Sequence, residues 1–209
     1  MESPHLDYTA ELLRHFADLR DGTHGGAISR RDKESFFTAA VPLLDPYARQ
    51  SLREINADLL LGTGEVTATG IRRRGDGIEA IWALSWPEQQ DAGISPIIIR
   101  AYYGAGAHHP HLQGGTAGDW PLNVFDERQA AAELPVLRAV ASADLHNLVF
   151  QRDYRIIPAI VNGWAPHHLS RTNGADSRRV AAGPQGSTGR QRQRGYLTPA
   201  RGRAGGGSL

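Results

Sequence analysis

Amphipathic segments in the first third of the chain predict helices. Residues 7–20 carry an apolar stripe at helical spacing, and its members are Leu12, Leu13, Phe16 and Leu19. Residues 29–32 resemble a capping box, and the helix behind them places Phe37 and Val41 inward. Asp45 followed by Pro46 predicts a further helix start. We therefore predict three helices before Gly62.

The hydrophobic period then changes from that of a helix to that of a strand. Residues 65–72 are rich in β-branched and small side chains, and residues 78–86 alternate between apolar and polar positions. Residues 96–103 contain a continuous apolar run, which indicates a strand buried on both faces. A turn at 73–77 joins the first two strands. Together the three segments predict an antiparallel sheet.

The next segments predict a long loop, a helix and a closing hairpin. Residues 104–118 hold five glycines and three histidines, and a loop of that length favours a functional segment. A helix is predicted from Asp126 to about residue 143, with Pro135 as either a kink or a second start. Residues 147–151 and 154–161 then read as two strands of a hairpin.

Charge and composition divide the chain near residue 165. Residues 170–209 hold eight arginines, one acid, nine glycines and four large apolar side chains, too few to offset the entropy of ordering. We therefore predict one α+β domain over 1–165, with N-terminal helices packed on a mainly antiparallel sheet of about five strands. A disordered basic tail is predicted over 166–209.

The composition also excludes several kinds of chemistry. Because there is no cysteine, disulfides, thiolate nucleophiles and cysteine zinc sites are ruled out. The single lysine, Lys33, lies in no phosphate-binding Gly-x-x-x-x-Gly-Lys motif, and there is no Gly-x-Ser-x-Gly. We find neither a signal-peptide pattern nor an apolar run of about 20 residues. The expectation is a cytoplasmic protein that does not associate with membranes.

The histidines are the most informative candidate site residues. His108, His109 and His111 lie in the predicted loop, and Asp144 and His146 follow about 35 residues later. In extended backbone, residues two apart point the same way, so each closely spaced pair can bind one ion. Three imidazoles and a carboxylate suit a divalent metal such as zinc. The first hypothesis is a metal site made of His109, His111, Asp144 and His146, which would activate water for hydrolysis.

Two other interpretations of the same residues stay open. In a metal-free site, His109 or His111 is the general base, and Asp119 or Asp144 holds the other ring nitrogen. The candidate catalytic residues are then His109, Asp119 and Asp144. Alternatively, the segment is only a polar loop, and His146 merely caps the preceding helix.

The aromatic residues next to the loop also have two possible roles, at a ligand site or in the packing of the core. Tyr102 and Tyr103 end the third strand, either facing a site or half packed at the strand end. Trp120 forms either the aromatic wall of a ligand site or a plug at the end of the core.

The leading functional hypothesis is a small-molecule site at the mouth of the sheet, where the third strand ends. The competing hypothesis is a non-catalytic binding or regulatory protein whose loop is a contact surface. A third is contact between the arginine-rich tail and nucleic-acid phosphates. The sequence leaves the substrate, the oligomeric state and any enzymatic activity open.

Overall fold

Two helices open the part of the chain that the computed structural model describes, which is residues 8–163. Helix α1 spans Tyr8–Asp21 and helix α2 spans Arg30–Asp58. The capping box before α2 is confirmed. Asp32 N donates to Ser29 Oγ at 3.1 Å, and Ser29 N donates to the Asp32 carboxylate at 3.2 Å. The predicted tail over 166–209 and the boundary before it lie outside the described residues.

The predicted helix start at Asp45 is wrong, because α2 continues through Pro42 and Pro46. The Asp45 carboxylate accepts from Arg49 Nε at 2.9 Å and from Trp82 Nε1 at 2.7 Å, so it caps no helix. Interior prolines cost about 3 kcal/mol each. The buried face of α2 runs unbroken from Phe37 to Ile55, and burying it offsets that cost.

The apolar stripe of α1 does not enter the core. Its four members are between 41% and 64% exposed: Leu12, Leu13, Phe16 and Leu19. His15, which lies on the same side of the helix between Leu12 and Leu19, is buried instead. Helix α1 therefore meets the rest of the fold through a polar side chain.

The sheet is antiparallel throughout, with the spatial order β1-β3-β4-β5-β6 and β2 paired to β3 beside β1. Its strands are β1 (Glu65–Ala68), β2 (Arg72–Arg74), β3 (Gly77–Ser85), β4 (Ile97–Tyr103), β5 (His111–Gly114) and β6 (Trp120–Pro121). A short helix, α3 (Pro87–Asp91), connects β3 to β4. Strand β5 lies inside the segment predicted as a loop, so that prediction is wrong for residues 111–114.

Strand β4 is buried on one face only, contrary to the expectation of two. Ile97, Ile99 and Ala101 are buried, whereas Ile98 and Arg100 between them are half-buried. The reason is that α2 and the later helix α5 (Leu134–Gln151) both cover the face that carries the buried side chains. The other face presents polar side chains from neighbouring strands.

The C-terminal part of the described chain is helical, and the predicted hairpin is wrong. Asp126 caps α4 (Glu127–Ala132) by accepting from Gln129 N at 2.7 Å, and Pro135 opens α5 as a second piece. Residues 147–151 continue α5, because Leu148 extends its buried face past Leu145. A 3₁₀ turn (Tyr154–Ile156) and α6 (Pro158–Val161) follow. None of the helices between residues 8 and 163 combines the length and apolar character needed to cross a membrane.

Candidate functional site

His109 lies in a bend just before β5, and His111 is the first residue of that strand. His109 is buried, His111 is half-buried, and their ring centroids are 4.3 Å apart. Pro110 lies between them, and the short distance between the rings shows that both side chains occupy the same region. The two rings are close together, although His109 lies in a bend and not in the extended backbone that the predicted pairing assumes.

Two histidines outside the predicted site join this pair. The His15 ring meets the His109 ring edge to face at 4.3 Å, and the His24 ring stacks on it at 5.8 Å. His24 follows α1, and its Nε2 lies 3.0 Å from the carbonyl oxygen of Leu122. We call His15, His24, His109 and His111 the histidine cluster.

Burial keeps the histidine cluster uncharged at neutral pH. It lowers the pKa of His109 to about 3, with the charge of His111 and the other histidines acting in the same direction. Burial likewise lowers the pKa of His24 to about 4, and it lowers the pKa of His15 and His111. The Nδ1 atoms of His15, His24 and His111 have no hydrogen-bond partner among the described residues. Each of these three buried nitrogens therefore has an unused hydrogen-bonding position.

Asp119 lies near this cluster, on its exposed side. Tyr102 Oη donates to Asp119 Oδ1 at 2.9 Å, and the Tyr102 ring stacks on His111 with 5.5 Å between centroids. Burial lowers the pKa of His111, and the charge of Asp119 opposes that effect. Asp119 is one of the catalytic residues predicted from the sequence, and its charge therefore acts on His111.

Asp144 and His146 lie elsewhere, in the middle of α5. Asp144 is fully buried and accepts from Ile98 N at 3.0 Å and from both Thr116 N and Thr116 Oγ1 at 2.7 Å. His146 is exposed, with its Nδ1 3.4 Å from Asn147 Oδ1. Residues two apart in a helix point about 200° apart, so the spacing argument, which needs extended backbone, does not apply. Asp144 joins β4 to the segment after β5 and has no hydrogen bond or ion pair to a described histidine.

Within residues 8–163, no three His, Asp or Glu side chains are arranged to hold a metal ion. In the histidine cluster, the His109 ring meets the His15 ring edge to face, is tilted against the His111 ring and is stacked on the His24 ring. The structure therefore does not bring together the four ligands named from the sequence.

A cavity of about 170 Å³ opens beside the histidine cluster, between α1, β6 and the α4–α5 junction. Its walls are mostly apolar, formed by Leu12, Trp120, Pro121, Ala132 and Val136. Trp120 is 43% exposed, so it lines this cavity and does not plug the core. Cavities of this kind are the usual place for a small ligand.

The polar lining residues of the cavity are Glu11, His15, Asn123, Gln129 and Glu133. Burial raises the pKa of Glu133 to about 7, and the charge of Glu11 adds to the effect. Glu133 Oε2, Asn123 Oδ1 and His15 Nδ1 are buried without a partner among the described residues. Because buried polar atoms are almost always paired in native proteins, these three mark a place where a partner is missing.

His15 belongs to both features, since it lines the cavity and contacts His109. The sequence signal that could have identified His15 is its position on the apolar stripe of α1, where a polar side chain is unusual. Glu133 gave no such signal, because a glutamate before a helix usually faces solvent.

Comparison with known proteins adds nothing to this geometry: no family model, no curated protein and no solved structure matches the chain.

Proposed function

We propose that this chain binds a small, mainly apolar molecule in the cavity between α1, β6 and the α4–α5 junction. The observation that carries the proposal is an apolar cavity of which three lining residues, His15, Asn123 and Glu133, each carry an unpaired buried polar atom. Apolar walls with a few convergent polar groups are typical of ligand sites. The small-molecule site that we propose is therefore this cavity, and it does not include Asp144 or His146. His109 lies next to it, in contact with His15.

The stability cost of Glu133 supports the same proposal. A carboxylate whose pKa burial raises to about 7 destabilises the fold at neutral pH. Such a residue is characteristic of functional sites, where stability is given up for binding or chemistry.

Filling the cavity tests the proposal. Ala132 lines the cavity, whereas its neighbour Ala131 is exposed on the same helix, so Ala131→Phe is a matched control for Ala132→Phe. We expect wild type and Ala131→Phe to bind members of a library of small one-ring fragments in ligand-observed NMR, and Ala132→Phe to bind none of them. Equal binding by both variants, or no binding by the wild type, would contradict the proposal.

Acid–base catalysis at the same cavity is a second candidate, and Glu133 favours it. A group with a pKa near 7 is present in both protonation states at neutral pH, as a general acid or base requires. A hydrolytic reaction, which is one hypothesis from the sequence, would use this group to activate water. Following a bound ligand by NMR over hours distinguishes the candidates, because its slow conversion indicates catalysis and its persistence indicates binding alone.

The remaining hypotheses stay predictions with tests of their own. A zinc or other divalent-metal cofactor would use His109 and His111, and elemental analysis of the full chain tests it. Contact with nucleic acid through residues 170–209 is tested by retention on DNA across a salt series, with and without that segment. A cytoplasmic location also stays a prediction.

A further inference from the structure

The unpaired polar atoms at the cavity call for a ligand that donates hydrogen bonds. Asn123 Oδ1 and Glu133 Oε2 are both oxygens, and an amide carbonyl or an ionised carboxylate only accepts. His15 Nδ1 is the third unpaired atom, and its side chain is deeply buried, with the residue 6% exposed. A ligand with several N–H groups could satisfy all three.

The charges at the cavity favour a cation over an anion. Glu11 and Glu133 both line it, and none of the lining residues that the structure describes is a lysine or arginine. Glu11 is paired with Arg14, whereas Glu133 has no ion pair within residues 8–163. Burial keeps His15 neutral by lowering its pKa. A positive charge would therefore meet an uncompensated carboxylate in apolar surroundings, where charge pairs interact strongly.

The size and the walls of the cavity set the body of the ligand. An apolar cavity of about 150 Å³ accepts one benzene molecule, so a cavity of about 170 Å³ suits a single ring or a short alkyl chain. Trp120 adds an indole ring, and indole is the aromatic group that attracts cations best.

We propose that the natural ligand is a small primary amine with an apolar body, bound as the ammonium ion with its charge beside Glu133. The inference rests on the proposed function, since it names the ligand class of the same cavity. The N–H groups of the ammonium donate to the Glu133 carboxylate and to Asn123 Oδ1, and the apolar body contacts Leu12 and Val136.

Proton linkage follows from this arrangement. Glu133 has a pKa of about 7 in the free protein, because of burial and of the nearby charge of Glu11. The ammonium favours the ionised carboxylate, so binding at pH 7 releases about half a proton per ligand, because Glu133 is about half protonated before binding. The affinity therefore weakens as the pH falls from 8 to 5, approaching a tenfold loss per pH unit below pH 7. Glu11 and His15 of α1 are the titratable groups that face the same cavity.

Four probes of one shape, measured by isothermal titration calorimetry on the full chain at pH 8, test the inference. Benzylamine is the cation, benzyl alcohol the neutral donor, toluene the apolar body alone, and benzoate the anion. We expect benzylamine to bind at least tenfold more tightly than the others. Benzylamine titrated at pH 7 in two buffers of different ionisation enthalpy should also show proton release.

Two charge-neutralising variants separate the role of Glu133 from a general effect of charge. Glu133→Gln should bring the affinity for benzylamine to within about threefold of that for benzyl alcohol. Glu127→Gln makes the same change on an exposed residue of α4 and should leave the preference intact. Thermal melting confirms that each variant is folded.

The possible failures are distinguishable. If none of the four probes nor any member of the fragment library binds the wild type, the proposed function fails together with this inference. If toluene, benzyl alcohol or benzoate binds as tightly as benzylamine, the cavity is a ligand site but the amine inference is overturned. Proton release that persists in Glu133→Gln would overturn it as well, because another group would then be titrating.

Discussion

The ring of His15 meets the ring of His109 edge to face, with 4.3 Å between their centroids. His109 also contacts His24 and His111, so it is the centre of the histidine cluster. Because His15 lines the cavity, this one contact connects the cavity to the cluster. Protonation of the cluster and occupation of the cavity should therefore influence each other.

Acidification should destabilise the fold through the histidine cluster. The pKa of His109 is about 3 and that of His24 about 4 in the folded protein, against about 6.5 for an unfolded histidine. Since the unfolded chain binds the proton more tightly, the stability contribution is complete above pH 6.5 and is lost as the pH falls toward the folded values. Each of the two groups should lower the free energy of unfolding by about 2 kcal/mol between pH 7 and pH 5.

Replacing His109 isolates its share of that effect. We expect His109→Gln to be less stable than the wild type at pH 7. The difference in unfolding free energy between the two proteins should be smaller by about 2 kcal/mol at pH 5. His108→Gln changes the exposed neighbour and should follow the wild type at both values. Urea unfolding at the two pH values measures the difference, and a gap that does not change with pH would show that His109 titrates normally.

Glu133 should have the opposite pH dependence. Its pKa is raised to about 7 from an ordinary value of 4.5, so the folded state binds the proton more tightly. The resulting stability is complete below pH 4.5 and is lost as the pH rises through 7. Glu133→Gln should therefore be more stable than the wild type by about 1–3 kcal/mol at pH 8, with little gain at pH 4.5.

Urea unfolding of Glu133→Gln beside Glu127→Gln checks this expectation. Glu127 is an exposed residue of α4 and serves as the control for removing a negative charge. An equal gain in unfolding free energy from both variants at pH 8 would mean that the change in net charge, and not the burial of Glu133, causes the stabilisation.

Asp144 should prove to be a structural residue. Asp144→Ala leaves Ile98 N and Thr116 N without their buried acceptor, which we expect to cost about 2–4 kcal/mol of unfolding free energy. His146→Ala, two residues along α5, changes an exposed side chain and should cost less than about 0.5 kcal/mol. Chemical denaturation measures both, and ligand affinity measured on a folded Asp144→Asn variant should equal that of the wild type. A selective loss of affinity in that variant would return Asp144 to the site.

Features with a local cause were predictable from the sequence. The capping box at Ser29 and the cap at Asp126 each depend on side chains within one helical turn, and both are confirmed. The alternation in residues 78–86 similarly gave the strand β3, because one buried face imposes a period of two.

Features that depend on distant contacts were not predictable. His15 meets His109 only because α1 lies beside β6, and no local pattern encodes that placement. Asp144 was predicted to be a metal ligand because its true partners are distant in the sequence. They are hydrogen-bond donors of β4 and of the segment after β5. The predicted hairpin failed for a related reason, since burial against the sheet extends α5 beyond its local signals.

Both edges of the sheet are poorly suited to pairing with another chain. At one edge, β6 is two residues long and ends at Pro121, which has no N–H to donate. At the other edge, β1 and β2 are separated by a break at Gly70, and β2 consists of three exposed arginines. Exposed sheet edges nucleate fibrils when they are long, flat and apolar, and neither edge is of that kind. Extension of the sheet is therefore disfavoured, and polymerisation through residues 8–163 would have to proceed through side-chain surfaces.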